Sequence, residues 1–231
     1  MNSENSIFNK EKENESFKPI RACLVEEENV DESTLSTIWK IRRNGEFVDY
    51  SGNEEVYKKR NIKNAGKETY AMSECTPENK YSNEYFNSTG IIIVGEEKNS
   101  KKQISFMTHQ DPEKFLEDKK ELFTKDLTDL IKIIKEKCKE KSIDAIIFGG
   151  NAGFREYQES IKFLGNIITK ELGFEPTVMT GPKSILSKGD EPTAGYFDTQ
   201  NRRLYIRRSK QASELNESYL PSEVKKQSSK W

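Results

Sequence analysis

Histidine is nearly absent from this chain: 231 residues contain one, His109. Schemes that need two imidazoles, such as a zinc site on paired histidines, are thereby excluded. Cysteine is scarce too. Cys23, Cys75 and Cys138 cannot all pair within one molecule, and their wide spacing matches neither a zinc ribbon nor a CxxC motif. Reduced thiols, no structural metal and no cofactor are expected. Long apolar runs are also missing: none approaches the roughly 20 residues that cross a bilayer, and the N-terminus lacks the basic-then-apolar profile of a Sec signal. A soluble chain without membrane insertion follows as the expectation. Nor is there an excess of one charge. Thirty-eight Lys and Arg against 39 Asp and Glu leave a net charge of −1, which supplies no long-range field for nucleic acid or anionic lipid.

Hydrophobic residues make up 33% of the chain, below the usual ~45–50%, so part of the sequence is expected outside the core. The ends supply that excess. Residues 1–17, rich in Asn, Glu, Lys and Ser, read as a disordered leader, and 209–231 as a weakly structured tail. Between them, 18–208 reads as a single domain, well within the ~100–200 residues a domain commonly holds.

Within that span the N-terminal signals are short: Ile20 to Val25, Leu35 to Ile41, then Glu46 to Tyr50 after the turn-forming Asn44-Gly45 pair. They suit antiparallel strands with a hairpin at Asn44-Gly45. Ile91 to Val94, β-branched and apolar throughout, predicts a strand covered on both faces, with Gln103 to His109 as its hairpin partner. From Leu122 to Lys141 the apolar positions Leu127, Leu130, Ile131, Ile134 and Cys138 recur every three or four residues and predict an amphipathic helix, on whose stripe Cys138 is a buried hydrophobe. Ile143 to Gly150 reads as a buried strand, Arg155 to Leu172 as a second helix, and Phe174 to Thr180, Gly195 to Asp198 and Leu204 to Arg208 as three strands. The plan is α+β. Gly149-Gly150-Asn151-Ala152-Gly153 lacks the Walker lysine and the full dinucleotide pattern, and reads as a sharp strand-to-helix turn.

The chemistry-bearing candidates are Cys75 and His109. A cysteine is nucleophilic as its thiolate and needs an imidazole or a helix N-terminus to ionise at neutral pH, and His109 is the one imidazole available. A third group must hold the ring's tautomer, and Thr69, Gln110 and Asp111 are near in sequence.

The spacing Thr69-x5-Cys75, with Met72-Ser73-Glu74-Cys75, resembles the hydrophobic-Ser-Gly-Cys motif of the glutamine deamidase toxins, namely the catalytic domain of cytotoxic necrotizing factor and the lethal-factor deamidase acting on a translation-initiation helicase. It resembles the chemoreceptor deamidase CheD as well. There too a strand after the cysteine leads by a hairpin to a histidine, as Ile91 to Val94 and Gln103 to His109 suggest here, and Phe148-Gly149-Gly150-Asn151-Ala152 is similar to that family's Phe-Gly-Gly-Ala region. The resemblance spans roughly 67–208. It departs from the pattern where Glu74 replaces the glycine before the cysteine, and where the polar residues Thr76 to Ser88 are inserted before the next strand.

The resemblance implies a β-sandwich-like pair of mixed sheets flanked by helices, and a protein glutamine deamidase working by a Cys-His-Thr thiol mechanism. Cys75 would attack the carboxamide of a protein glutamine, His109 would protonate the departing ammonia and then activate water, and Thr69 would orient the ring. Ser73, Glu74 and Thr76 would form the oxyanion and substrate loop. It also implies a monomeric bacterial effector or toxin whose partner is a host protein such as a helicase or small GTPase, found in the bacterial cytoplasm or delivered to host cytosol by a Sec-independent route. A cysteine protease or transglutaminase-like enzyme would use the same pair, and a non-catalytic interaction protein on the same fold would use neither.

Overall fold

The computed structural model describes residues 17–26, 30–49, 69–83, 88–150, 155–180 and 192–208. Residues 1–16 of the leader, the tail 209–231, Tyr50, and Asn151, Ala152 and Gly153 of the glycine run lie outside these residues. The described chain runs β1 (Arg21–Glu26), α1 (Glu32–Asn44), β2 (Glu46–Phe47), β3 (Tyr70–Met72), β4 (Lys80–Asn83), β5 (Thr89–Glu96), β6 (Gln103–Gln110), α2 (Lys114–Asp118), α3 (Lys120–Lys137), β7 (Asp144–Gly149), α4 (Arg155–Leu172), β8 (Thr177–Thr180), β9 (Pro192–Asp198) and β10 (Arg203–Arg208). The expected α+β class is what is found.

The strand Ile91–Val94 sets the layering. Its side chains alternate between two faces, and since all four are apolar both faces must be covered. Ile91 and Ile93 pack with Phe123, Leu127, Ile131, Ile134, Leu164 and Ile168 of the helices. Ile92 and Val94 pack with Phe197, Leu204 and Ile206, which belong to a second sheet. Sheet I has the order β1-β10-β9-β4-β2 and sheet II the order β3-β6-β5-β7-β8. Both are mixed: β1 with β10, β2 with β4 and β7 with β8 run parallel, and the remaining pairs antiparallel. Helix α1 covers the outer face of sheet I, where Ile41 packs with Tyr81, Tyr196 and Tyr205. The result is helix, sheet, sheet, helix.

The N-terminal expectation holds in part: Ile20 to Val25 and the start of Glu46 to Tyr50 are strands, β1 and β2, but each pairs in parallel. Leu35 to Ile41 lies in helix α1, so the antiparallel strand and the Asn44-Gly45 hairpin are corrected. Asp31 caps the helix, its carboxylate accepting from Thr34 N at 2.9 Å, and Ile38 and Ile41 fall on one helical face toward sheet I, with Val30, just before the cap, packed in the same cluster. Gly45 ends the helix, donating to Ile41 O, because a Cβ there would stand 2.5 Å from that oxygen and 2.9 Å from Asn79 O. The polar stretch Thr76 to Ser88 also differs from an inserted loop. It contains β4, which crosses to sheet I and is buried at Lys80, Tyr81 and Ser82.

The later elements match. Helix α4 keeps the expected bounds Arg155–Leu172, α3 is shorter than expected, and Cys138 caps its end in a buried position. Gly149 and Gly150 both have positive φ, 89° and 70°, and the Tyr157 ring lies so close over Gly150 that a Cβ would overlap it. This is the sharp turn the glycines suggested.

Buried Arg202, in the β9–β10 turn, clamps the two sheets. Its guanidinium donates to Gln103 Oε1 at 2.9 and 2.7 Å, to Ser142 O at 2.7 Å and to Lys18 O at 2.6 Å. Arg202→Met would leave these acceptors without their donor in a closed site, and should cost roughly 3 kcal/mol. A urea midpoint unchanged from the wild type would refute this role.

Candidate functional site

The two predicted catalytic residues do not meet. In the β3–β6 ladder His109 is paired with Ala71. Farther along, Ser73 N donates to Met107 O at 2.9 Å, and Thr76 bridges Ser105. Cys75 therefore lies level with residues 105–107, and at a rise of ~3.3 Å per residue it is roughly 10 Å from His109 along the strand. The faces differ as well. Cys75 packs against the helix-side core, its thiol 3.6 Å from Leu130 O of α3, whereas His109 points between the sheets and reaches Ser82 of β4.

Nor is the surrounding chemistry that of a nucleophile. Burial pushes the Cys75 thiol up to about 12, outweighing the attraction of Lys137 and Lys80. Two backbone donors beside Cys75 are engaged: Glu74 N donates to Glu46 Oε1 at 3.3 Å, placing a carboxylate where an oxyanion would need positive dipoles, and Thr76 N donates to Ser105 O. Ser73 Oγ accepts from Met107 N at 2.9 Å, and Thr76 Oγ1 bonds Lys80 Nζ. Both hydroxyls brace the fold. Thr69 accepts from Asp111 N through its carbonyl, and its buried Oγ1 has no hydrogen-bond partner among the described residues.

His109 has different neighbours from those expected. Its Nδ1 is 2.8 Å from Ser82 Oγ and 3.6 Å from Asp49 Oδ1, and the ring also hydrogen-bonds the Val48 carbonyl. Asp49, Ser82 and His109 are 5%, 0% and 1% exposed. A serine–histidine–aspartate relay requires carboxylate and hydroxyl on opposite ring nitrogens. Here both face Nδ1, and Ser82 is fully buried. Burial lowers the His109 pKa below its usual 6.5, with Asp49 opposing in part. The neutral ring is a hydrogen-bonded tie between the sheets.

No protein-family model matches this chain, and no curated protein matches it.

Sequence reasoning missed Asp49 and Ser82 because 33 residues separate them and they meet only when β4 joins sheet I. It also missed the Lys80–Glu46 pair, 2.8 Å apart, with the Lys80 side chain fully buried. Among the described residues no group of three His, Cys, Asp or Glu side chains is placed to hold a metal, and no helix is long and apolar enough to cross a membrane.

At pH 8, a thiol with a pKa near 12 presents about a thousandfold less thiolate than a free cysteine. Iodoacetamide labelling of native Cys75 should be correspondingly slow when followed by mass spectrometry, and labelling at the rate of a denatured control would contradict this environment. For His109 the unfolded chain takes up the proton first as pH falls below 6.5, because the folded pKa is lower. Stability present above 6.5 should decline below it. In His109→Gln the difference between urea midpoints at pH 7.5 and 5 should shrink; an unaltered difference would exclude His109 as its source.

Proposed function

We propose that this chain is a non-catalytic protein-interaction domain built on a sandwich scaffold similar to that of the glutamine deamidases, with no thiol chemistry at Cys75. The separation of Cys75 from His109, on opposite faces of sheet II, carries this reading. A surface suited to a protein partner lies on α1. Leu35 and Trp39, one helical turn apart, are 51% and 63% exposed, and the Arg43 guanidinium lies 5.5 Å above the indole. Tryptophan and arginine are the residues most enriched at the energetic centres of protein interfaces. Lys40, Arg42 and Arg43 against Glu32 favour a partner whose apolar side chains cover Leu35 and Trp39 and whose carboxylates meet these cations.

The deamidase reading retains one supporting observation. After Cys75 the strands β5 and β6 pair antiparallel as a hairpin that leads to His109, as the resemblance implies.

One experiment weighs both. The protein and its Cys75→Ala variant are incubated with eukaryotic lysate, and peptides are searched for glutamines gaining about one mass unit, with a Trp39→Ala variant used in parallel for affinity capture. Equal glutamine patterns, together with a stoichiometric partner lost on Trp39→Ala, are expected. A Cys75-dependent Gln→Glu change at a defined site would overturn the proposal in favour of a deamidase acting on that protein.

A further inference from the structure

Arg21 and Arg203 are register partners on the neighbouring parallel strands β1 and β10. Like charges paired across strands repel, and Asp198, the register partner of Arg203 on β9, offsets that repulsion in part. Both side chains line a cavity of about 580 Å³ on the α1 side of sheet I, together with Lys18. The one carboxylate there, Asp198, is engaged in its own turn: Oδ1 accepts from Asn201 N at 3.1 Å and Oδ2 from Asn201 Nδ2 at 2.8 Å. Arg203 hydrogen-bonds Tyr205, a neutral partner, and Lys18 and Arg21 make no ion pair among the described residues.

The floor is rigid. Arg202 holds Lys18 O at 2.6 Å, Asp144 Oδ2 accepts from Ile20 N at 2.6 Å, and Arg21 N donates to Arg202 O at 2.9 Å. The cations are therefore carried on a backbone pinned to both sheets. Phe17, Pro19 and the Tyr205 ring add apolar and aromatic wall beside them.

We propose that this cavity binds a phosphate-bearing small molecule, with Arg21 and Arg203 gripping the phosphate and the aromatic wall taking the remainder of the ligand. The chemistry points this way for three reasons. Guanidinium groups bind phosphate oxygens through paired, charge-assisted hydrogen bonds. A doubly charged anion between two arginines converts their repulsion into attraction. The volume falls within the ~300–1,000 Å³ typical of small-molecule sites. The proposal is independent of the surface formed by Leu35 and Trp39 and of any chemistry at Cys75.

Isothermal titration of the full chain with pyrophosphate, ADP and adenosine tests it. Pyrophosphate and ADP should bind, ADP more tightly, with affinities that fall as salt rises, and adenosine should not bind measurably. Arg21→Gln and Arg203→Gln, both at solvent-exposed side chains, should each weaken ADP binding roughly tenfold. The inference is overturned if neither phosphate probe binds, if adenosine binds as well as ADP, or if the double variant binds ADP like the wild type.

Discussion

The structure depends on the need to cover both faces of β5. Ile91 to Val94 expose no surface, so sheet II cannot be solvated on either side. At ~25 cal/mol per Å² of apolar surface removed from water, four such side chains contribute several kcal/mol, and that gain is obtained only if helices close one face and sheet I the other. The two cores on either side of sheet II follow from this one strand. So does the position of His109, which ends the adjacent strand β6 on the face turned toward sheet I.

The burial that stabilises the sandwich also decides the chemistry of the polar groups caught within it. His109 is kept neutral and tied to Ser82, and Lys80 is kept paired to Glu46. Each of these contacts joins residues distant in the chain, and each satisfies a group that would otherwise be costly to bury. Cys75 is desolvated on the other face, where its thiol meets a backbone carbonyl rather than a base. Both Cys75 and His109 are held by contacts within the fold. Among the groups facing solvent are the apolar ridge of α1 and the cations around Arg21 and Arg203, and the proposals for binding rest on these.

Legibility in the sequence tracked how local the determining signal was. Helix α4 and strands β5 to β7 could be read because their apolar periodicity is strong and their neighbours add no competing signal. Leu35 to Ile41 was misread because the Asn44-Gly45 pair, a hairpin signal, here marks a helix end; the Asp31 cap and the helical spacing of Ile38 and Ile41 were the competing signals. β4 was missed because four residues containing Lys80 and Ser82 read as polar, and both are buried only through partners elsewhere in the chain.

The sequence by itself determined the α+β class, the buried central hairpin, the helix of α4 and the glycine turn after Phe148, since each follows from side-chain period or backbone freedom within a few residues. Only the tertiary structure decided which face each candidate residue occupies and what it touches. One residue of register sends a strand side chain to the opposite face, and the path from Thr76 through β4 to β5 carries the chain across to sheet I and back. Cys75 and His109 thus share a ladder without sharing a site, while Arg21 and Arg203, nearly the whole chain apart, stand side by side.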